Sequence, residues 1–213
     1  MTGSLHVSKH PLVATKLSQL REANQTSKVT RELVNDLASM LSYEATIDIP
    51  ITHEKTLLSP YEPYQAAEVK QRVALVPVLR SGLSLVNAFL NLFPDAPVLH
   101  LGIYREKVTL QPVEYYNKLP EYPEVDLCYV LDPIIATGNT AVATVNILKE
   151  WGVPGKNIKF VGVLGSRPGI TRLQKEHPDI QVYVAAVDEV LDDKGFIRPG
   201  LGDVGDRLMN TGF

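Results

Sequence analysis

The sequence of 213 residues holds one cysteine, Cys128, so no internal disulfide can form. Cys128 lies inside an apolar run and reads as a buried structural thiol, which suits a reducing compartment. Positive charge is not gathered anywhere. Lys and Arg number 21 against 24 Asp and Glu, the net charge is −3, and no basic segment gives the electrostatic footprint of a nucleic-acid binder. No stretch approaches the apolar length of a membrane span, and the opening MTGSLHVSKHPLV lacks the apolar core of a signal peptide. These absences predict a soluble, cytoplasmic protein with neither nucleic acid nor membrane as partner. No repeat at solenoid periods, low-complexity tract or Pro/Gly/Ser linker divides the chain, so residues 1–213 are expected to form a single domain. The string GxxxxGK[ST] is missing, and the five histidines show no metal-ligand spacing, which excludes a Walker nucleotide site and a structural zinc.

What is present is a regular alternation of apolar runs and helical patterns. Val13, Leu17 and Leu20 recur at helical spacing after Pro11, and Val29, Leu33, Leu37, Met40 and Leu41 do so through a longer helix fading near Thr46. Residues 10–46 thus read as an N-terminal helical arm. Residues 47–63, broken by prolines among β-branched residues, read as a short strand and loops. The run VALVPV (73–78) is apolar without alternation, as expected of a strand buried on both faces of a parallel sheet. A helix carrying Leu83, Val86, Phe89, Leu90 and Phe93 and a strand over 98–105 complete a βαβ unit. Residues 106–120, with weak alternation, mixed charge and Pro112, suggest an exposed hairpin or flap that begins at Arg105.

Residues 125–151, VDLCYVLDPIIATGNTAVATVNILKEW, carry the strongest signal: an apolar strand, an acid at its end, a Thr/Gly-rich loop, and a helix stopped at Gly152. Strands over 158–164 and 180–187 with a helix over 168–176 extend the pattern, predicting an α/β protein with a doubly wound, mainly parallel sheet. The tail, residues 188–213, is rich in Gly and Asp, has little apolar periodicity, and reads as a site loop rather than a core element.

In such sheets ligands bind beyond the carboxyl ends of the strands, where Arg80-Ser81-Gly82, Arg105 and residues 132–140 fall. Ala136, Thr137, Gly138, Asn139 and Thr140 offer consecutive N–H groups, two hydroxyls and a helix start, a cradle for a monophosphate; the alternative is that Thr137 and Thr140 merely cap the helix. Asp132 favours the first reading, because a carboxylate there would repel a bare phosphate but accept hydrogen bonds from ribose hydroxyls. Arg80, before Ser81 and Gly82, offers a second anion site, the alternative being an ordinary surface arginine, and Arg105 with Lys107 could close over an anion, the alternative being a solvated hairpin. A ribose carrying a 5-phosphate and a 1-diphosphate matches this set. The tail string from Gly200 to Gly205 satisfies GxGxxG, but Pro199 precedes it and no βαβ unit can form around it, so a dinucleotide site is excluded. Its glycines read instead as a loop that presents main-chain groups to a small planar ligand, leaving Asp203 and Asp206 for a metal-bound water or local turn bonds.

CYVLDPIIATGNTA resembles the phosphoribosyl-diphosphate motif of type I phosphoribosyltransferases, and its Asp-Pro is the variant of the uracil phosphoribosyltransferases. FIRPGLGDVGDR resembles that subfamily's uracil loop, and VPVLRSGL and GIYREKVTLQPVEYYNKLP its diphosphate loop and flexible hairpin flap. HPLVATKLSQLRE and LSYEAT extend the likeness across almost the whole chain. The resemblance implies the type I fold and transfer of phosphoribose from 5-phosphoribosyl 1-diphosphate (PRPP) to uracil, yielding UMP and diphosphate with Mg²⁺, in pyrimidine salvage. It assigns Arg80 and Arg105 to the diphosphate side of PRPP, and Asp132, Pro133, Ile134, Ile135, Ala136, Thr137, Gly138, Asn139 and Thr140 to its ribose and 5-phosphate. Ile197, Gly202, Asp203 and Val204 would meet uracil, with Asp203 also reaching PRPP or a metal water. Arg105, Asp132 and Asp203 are the implied catalytic residues, with no direct metal ligand from the protein.

Asn139 and Thr140 stand where Gly and Ser are common in the family, and Ser81 where Ala is common. These departures bear on PRPP affinity and regulation more than on the reaction. A homodimer or homotetramer, and GTP or CTP as an effector, are what the resemblance raises. The competing readings are a non-catalytic module on the same fold that senses PRPP or UMP, and a phosphoribosyltransferase for purines or orotate; the intact acid, phosphate loop and uracil-type tail favour the uracil enzyme.

Overall fold

The computed structural model describes residues 4–105 (Arg105 by its main chain only) and 112–212. A short strand that the sequence reading did not anticipate, Leu5–Val7 (β1), precedes the helical arm. Pro11–Arg21 (α1) starts with proline at its first turn and His10 as cap, and buries Val13, Leu17 and Leu20. In Ser27–Thr46 (α2), the Thr26 hydroxyl accepts from the Val29 N–H at 3.3 Å, and Leu33, Leu37 and Leu41 lie on the buried face. Both helices fall where the apolar spacing places them.

Ile51–Leu58 (β2) and Pro63–Val69 (β3) form an antiparallel hairpin, a correction to the expected short strand and loops. Val73–Leu79 (β4) leads through Gly82 into Leu83–Leu90 (α3). Leu101–Arg105 (β5) pairs antiparallel with Pro112–Asn117 (β6), in keeping with the hairpin expected there; Lys107 lies outside the described residues. Leu127–Leu131 (β7), Ile134–Ile135 (β8) and Asn139–Trp151 (α4) build the central strand, loop and helix, and Gly152 ends α4 at φ +117°. Ile158–Ser166 (β9), Arg167–Glu176 (α5) and Gln181–Asp188 (β10) continue the alternation.

The tail is more structured than expected. Val190–Leu191 (β11) pairs with Ile197–Arg198 (β12), Val204–Met209 (α6) follows, and Ile197, Leu201, Val204 and Leu208 are buried in the core.

The main sheet runs β1-β10-β9-β7-β4-β5-β6, with β8 against β9; its pairs are parallel except β5 with β6. Side chains alternate between two apolar layers. Leu75, Tyr129, Val161 and Tyr183 face α1, α2, α3 and α6, while Ala74, Cys128, Phe160 and Val182 face α4 and α5. With both faces covered, no polar alternation is left in the strands, which is why they read as unbroken apolar runs. Among the described residues Lys159 is a cation buried with them: it donates to the Ala45 carbonyl at the end of α2 (2.9 Å), pairs with Asp48, and lies 5.5 Å from the Tyr183 ring centre.

Burial pushes the Cys128 thiol up to about 12, so the thiolate is not formed at neutral pH. The folded protein should therefore leave Cys128 unmodified by an aromatic disulfide reagent, with one thiol appearing on addition of denaturant; rapid reaction in the native state would contradict the buried placement.

Candidate active site

A cleft of about 510 Å³ opens at the carboxyl ends of the central strands. Its walls come from the turn after β4 (Arg80, Ser81), from β5 and β6 (Ile103, Tyr104, Tyr115), from the stretch that runs from the end of β7 through β8 into α4 (Asp132, Ile134, Ala136, Thr140), and from the tail (Phe196, Gly202, Asp203, Val204, Gly205). Parts of the chain more than a hundred residues apart thus meet in one space. A second groove of similar volume lies between Arg72, Phe93 and Pro97 near the start of β4, where Asp126 holds the Arg72 guanidinium at 3.0 Å.

Asp132 sits on the cleft floor, 8% exposed. Its main-chain N–H donates to the Val161 carbonyl at 3.2 Å, fixing it on the sheet, and the Ser81 hydroxyl donates to Oδ1 at 3.3 Å. Burial pushes its pKa up to about 7, while hydrogen bonds from the Ile134 N–H and the Ser81 hydroxyl pull the other way. A carboxylate in that condition stands ready to accept hydrogen bonds that would favour its ionised form. Ser81, whose side chain the sequence reading left without a role, is thus one of its supports.

The loop after Asp132 is built on glycine. Gly138 is the N-cap of α4 with φ +80°, and no side chain caps the helix there; Thr137 Oγ1 is 3.5 Å from the Asn139 N–H, at the limit of a hydrogen bond. Threonine capping does not account for the loop, whereas a left-handed turn into a helix start with a positive dipole end suits an anion. Behind it, the Ser166 hydroxyl donates to the Ala136 carbonyl and accepts from the Gly169 N–H at 2.9 Å. A Cβ on Gly138 would lie 2.6 Å from the Gly169 carbonyl oxygen, so the loop rests directly on the first turn of α5.

Not every expected residue faces the cleft. The Pro133 carbonyl accepts from Val163 and Leu164, and the side chains of Ile135 and Ile197 belong to the core, so their contribution to a ligand would come through the main chain or through support. Thr137, Gly138 and Asn139 form the turn rather than the wall. The main chain of Arg105 ends β5 beside the cleft, and its side chain lies outside what is described. Asp203 lines the cleft and also caps α6, its Oδ1 accepting from the Asp206 N–H at 3.0 Å. Tyr104 and Tyr115, whose ring centres are 5.9 Å apart, were not singled out in the sequence; aromatic residues flanking the Arg105 end of a strand were the available signal. Gly200 (φ +62°) and Gly202 (φ +75°) shape a turn with no βαβ unit around it, as expected when the GxGxxG string was set aside.

The described residues contain no cluster of three His, Cys, Asp or Glu able to hold a metal ion, and no helix among them is long and apolar enough to cross a membrane. The cleft does offer two carboxylates, Asp132 and Asp203. That donor set fits Mg²⁺ arriving on a diphosphate, because the ion keeps several waters and uses one or two carboxylates plus substrate phosphates.

A family model described as uracil phosphoribosyltransferase matches residues 7–211. A uracil phosphoribosyltransferase of Roseiflexus sp. (strain RS-1) is 51% identical over 206 residues, covering 97% of this chain and 98% of that protein. Another, of Streptococcus suis (strain 05ZYH33), is 44% identical over 209 residues, covering 98% and 99%. Among solved structures, the AQ2163 protein from Aquifex aeolicus matches with a TM-score of 0.90 at 32% identity, covering 98% of this chain and 99% of that one. The APRTase from Giardia lamblia complexed with 9-deazaadenine, at 14% identity, 82% and 86% coverage and a TM-score of 0.53, shares the fold.

Proposed function

The chain belongs to the uracil phosphoribosyltransferase family and forms UMP and diphosphate from uracil and PRPP, a pentosyl transfer in pyrimidine salvage, and on that premise we propose how its cleft divides between the two substrates. The observation that carries the division is the meeting, in one cleft, of Asp132 and its glycine-built loop with the tail turn at Gly202, Asp203 and Val204.

In this reading Asp132 accepts from the ribose hydroxyls and the main chain of residues 136–140 holds the 5-phosphate. Arg80 and Arg105 flank the diphosphate. Residues 202–204 present main-chain donors and acceptors to uracil, with Ile197 supporting them from the core and Asp203 also reaching toward PRPP. Displacement at the anomeric carbon builds cationic character on the ribose and negative charge on the departing diphosphate. The fixed carboxylate of Asp132 stabilises the first and the arginines the second, so no covalent nucleophile is required. Mg²⁺ bound with the diphosphate, through water toward Asp132 and Asp203, would supply further neutralisation of the leaving group.

Uracil is selected because a cytosine amine meeting a main-chain donor leaves two buried donors unpaired. Exclusion of water belongs to the flap over residues 105–120 in this assignment, and the tail over 188–213 is the acceptor half of one domain whose arm is residues 10–46. The lone reduced thiol suits the cytoplasm, and the exposed apolar residues of the β2–β3 hairpin, Ile51, Leu58 and Tyr64, favour a homo-oligomer.

Incubating the protein with PRPP, Mg²⁺ and equimolar uracil, cytosine, orotate and adenine should give UMP as the sole nucleotide product. Incorporation of cytosine at a comparable rate would overturn the assignment of uracil's partners to residues 202–204.

A further inference from the structure

The cleft's acceptor wall is a turn of main chain, and a turn alone does not hold a position to a few tenths of an ångström. Two arginines, Arg21 and Arg207, hold this one. Arg21, the last residue of α1, forks onto Asp188 at the end of β10: Nη1 donates to Oδ2 at 2.8 Å and Nη2 to Oδ1 at 2.7 Å. The same Nη1 donates to the Gly200 carbonyl at 2.7 Å, and Asp188 Oδ2 accepts from the Gly200 N–H at 3.0 Å. Both polar groups of the Gly200 main chain are therefore tied to one ion pair. In return, Arg207 of α6 donates through Nη1 to the Leu201 carbonyl at 2.7 Å and the Leu20 carbonyl at 2.8 Å, and through Nη2 to the Glu22 carbonyl at 2.9 Å, capping α1. Arg21 and Asp188 are largely buried, at 23% and 9% side-chain exposure, so the pair is not a solvated surface contact.

We propose that Arg21 and Asp188 are positioning residues for the acceptor base: their ion pair fixes Gly200, and with it the orientation of Gly202, Asp203 and Val204 toward uracil. The proposal rests on the assignment of uracil to residues 202–204. The phosphate loop hangs instead on β7, Ser166 and the first turn of α5; Asp188 neighbours Ser166 across the β9–β10 register, but the side-chain hydrogen bonds of the Arg21–Asp188 pair run to Gly200 and not to that loop. Loosening the pair should therefore act on one substrate and spare the other. Lysine at position 21 keeps the charge but loses the planar fork, so it cannot serve Asp188 bidentately and Gly200 at once.

The test is steady-state kinetics on Arg21→Lys and Asp188→Asn. Both should raise KM for uracil about tenfold, while kcat and KM for PRPP stay within about twofold, the pattern of lost ground-state preorganisation. Arg31→Ala serves as control, because Arg31 also ties the helical arm to α6, donating to the Leu208 carbonyl at 2.7 Å away from the cleft; it should leave all three constants within twofold.

An unchanged uracil KM in folded Arg21→Lys overturns the proposal. A matching loss of kcat and rise of both KM values in Arg21→Lys, Asp188→Asn and Arg31→Ala also overturns it, since the contact is then general packing, as does failure of both site variants to fold. Gly202→Ala separates the underlying assignment. If it raises uracil KM while Arg21→Lys does not, only the ion-pair role fails; if neither moves uracil KM, the acceptor assignment fails with it.

Discussion

Asp132→Asn should lower UMP formation by about a hundredfold to a thousandfold, because hydrogen bonds to a charged partner are worth about 1.5–3 kcal/mol each and the amide turns a donor toward a ribose hydroxyl. Burial holds the free carboxyl near pH 7, and ribose hydroxyls favour its ionised form. The wild-type kcat/KM for PRPP should therefore fall about tenfold per pH unit as pH drops below 7, since that constant reports the free enzyme. The variant should lack this limb, keeping only the one from the substrate phosphate, whose second ionisation lies near about pH 6.

Stability should move the other way. A carboxyl raised from 3.8 to about 7 on folding adds stability that is fully present below pH 3.8 and lost as pH rises through 7. The ionised Asp132 thus costs up to about 4 kcal/mol at pH 8, and the asparagine variant should be more stable there by an amount of that order. Urea unfolding at pH 8 and pH 5 checks it: loss of activity with no stability gain at pH 8 would show that Asp132 is not under strain from burial.

Gly138→Ala should cripple the PRPP half alone. The left-handed conformation costs a non-glycine residue about 1–2 kcal/mol, and a methyl group 2.6 Å from the Gly169 carbonyl oxygen forces the loop off α5 for a further ~1–3 kcal/mol. A misplacement of about an ångström is worth about a hundredfold in rate, so kcat/KM for PRPP should fall by that order with KM for uracil little changed. Gly152→Ala is the matched control: φ is +117° at the other end of the same helix, against the edge of Pro123, and it should cost stability without touching PRPP. Wild-type kinetics in Gly138→Ala would refute the loop assignment.

The parts of the fold legible in the sequence are those with a buried face. VALVPV, the run into Asp132 and the run ending at Val187 are strands covered on both sides, and Val13, Leu17 and Leu20 mark a helix stripe. The β2–β3 hairpin escaped because almost all its side chains are exposed, leaving no apolar alternation to find; β1 is a three-residue edge. In the tail, Ile197, Leu201, Val204 and Leu208 are spread over a strand, a turn and a helix, so no single period gathers them. The acid and the glycine loop were visible because local chemistry announces them. Ser81 beneath Asp132, and Arg21 reaching Asp188 across 167 residues, are products of tertiary structure and carry no local signal.

The contacts that join α1 to the tail also set an order in time. Arg207 meets the Leu20 carbonyl across 187 residues of chain, so this closure forms only once residue 207 has been synthesised, whereas Asp132, its loop and α5 all precede it in the chain. On these assignments the sugar-phosphate half of the site draws on earlier and more local contacts than the base half. Fraying where α1 meets α6 should therefore disturb the acceptor half of the site before the half that holds PRPP.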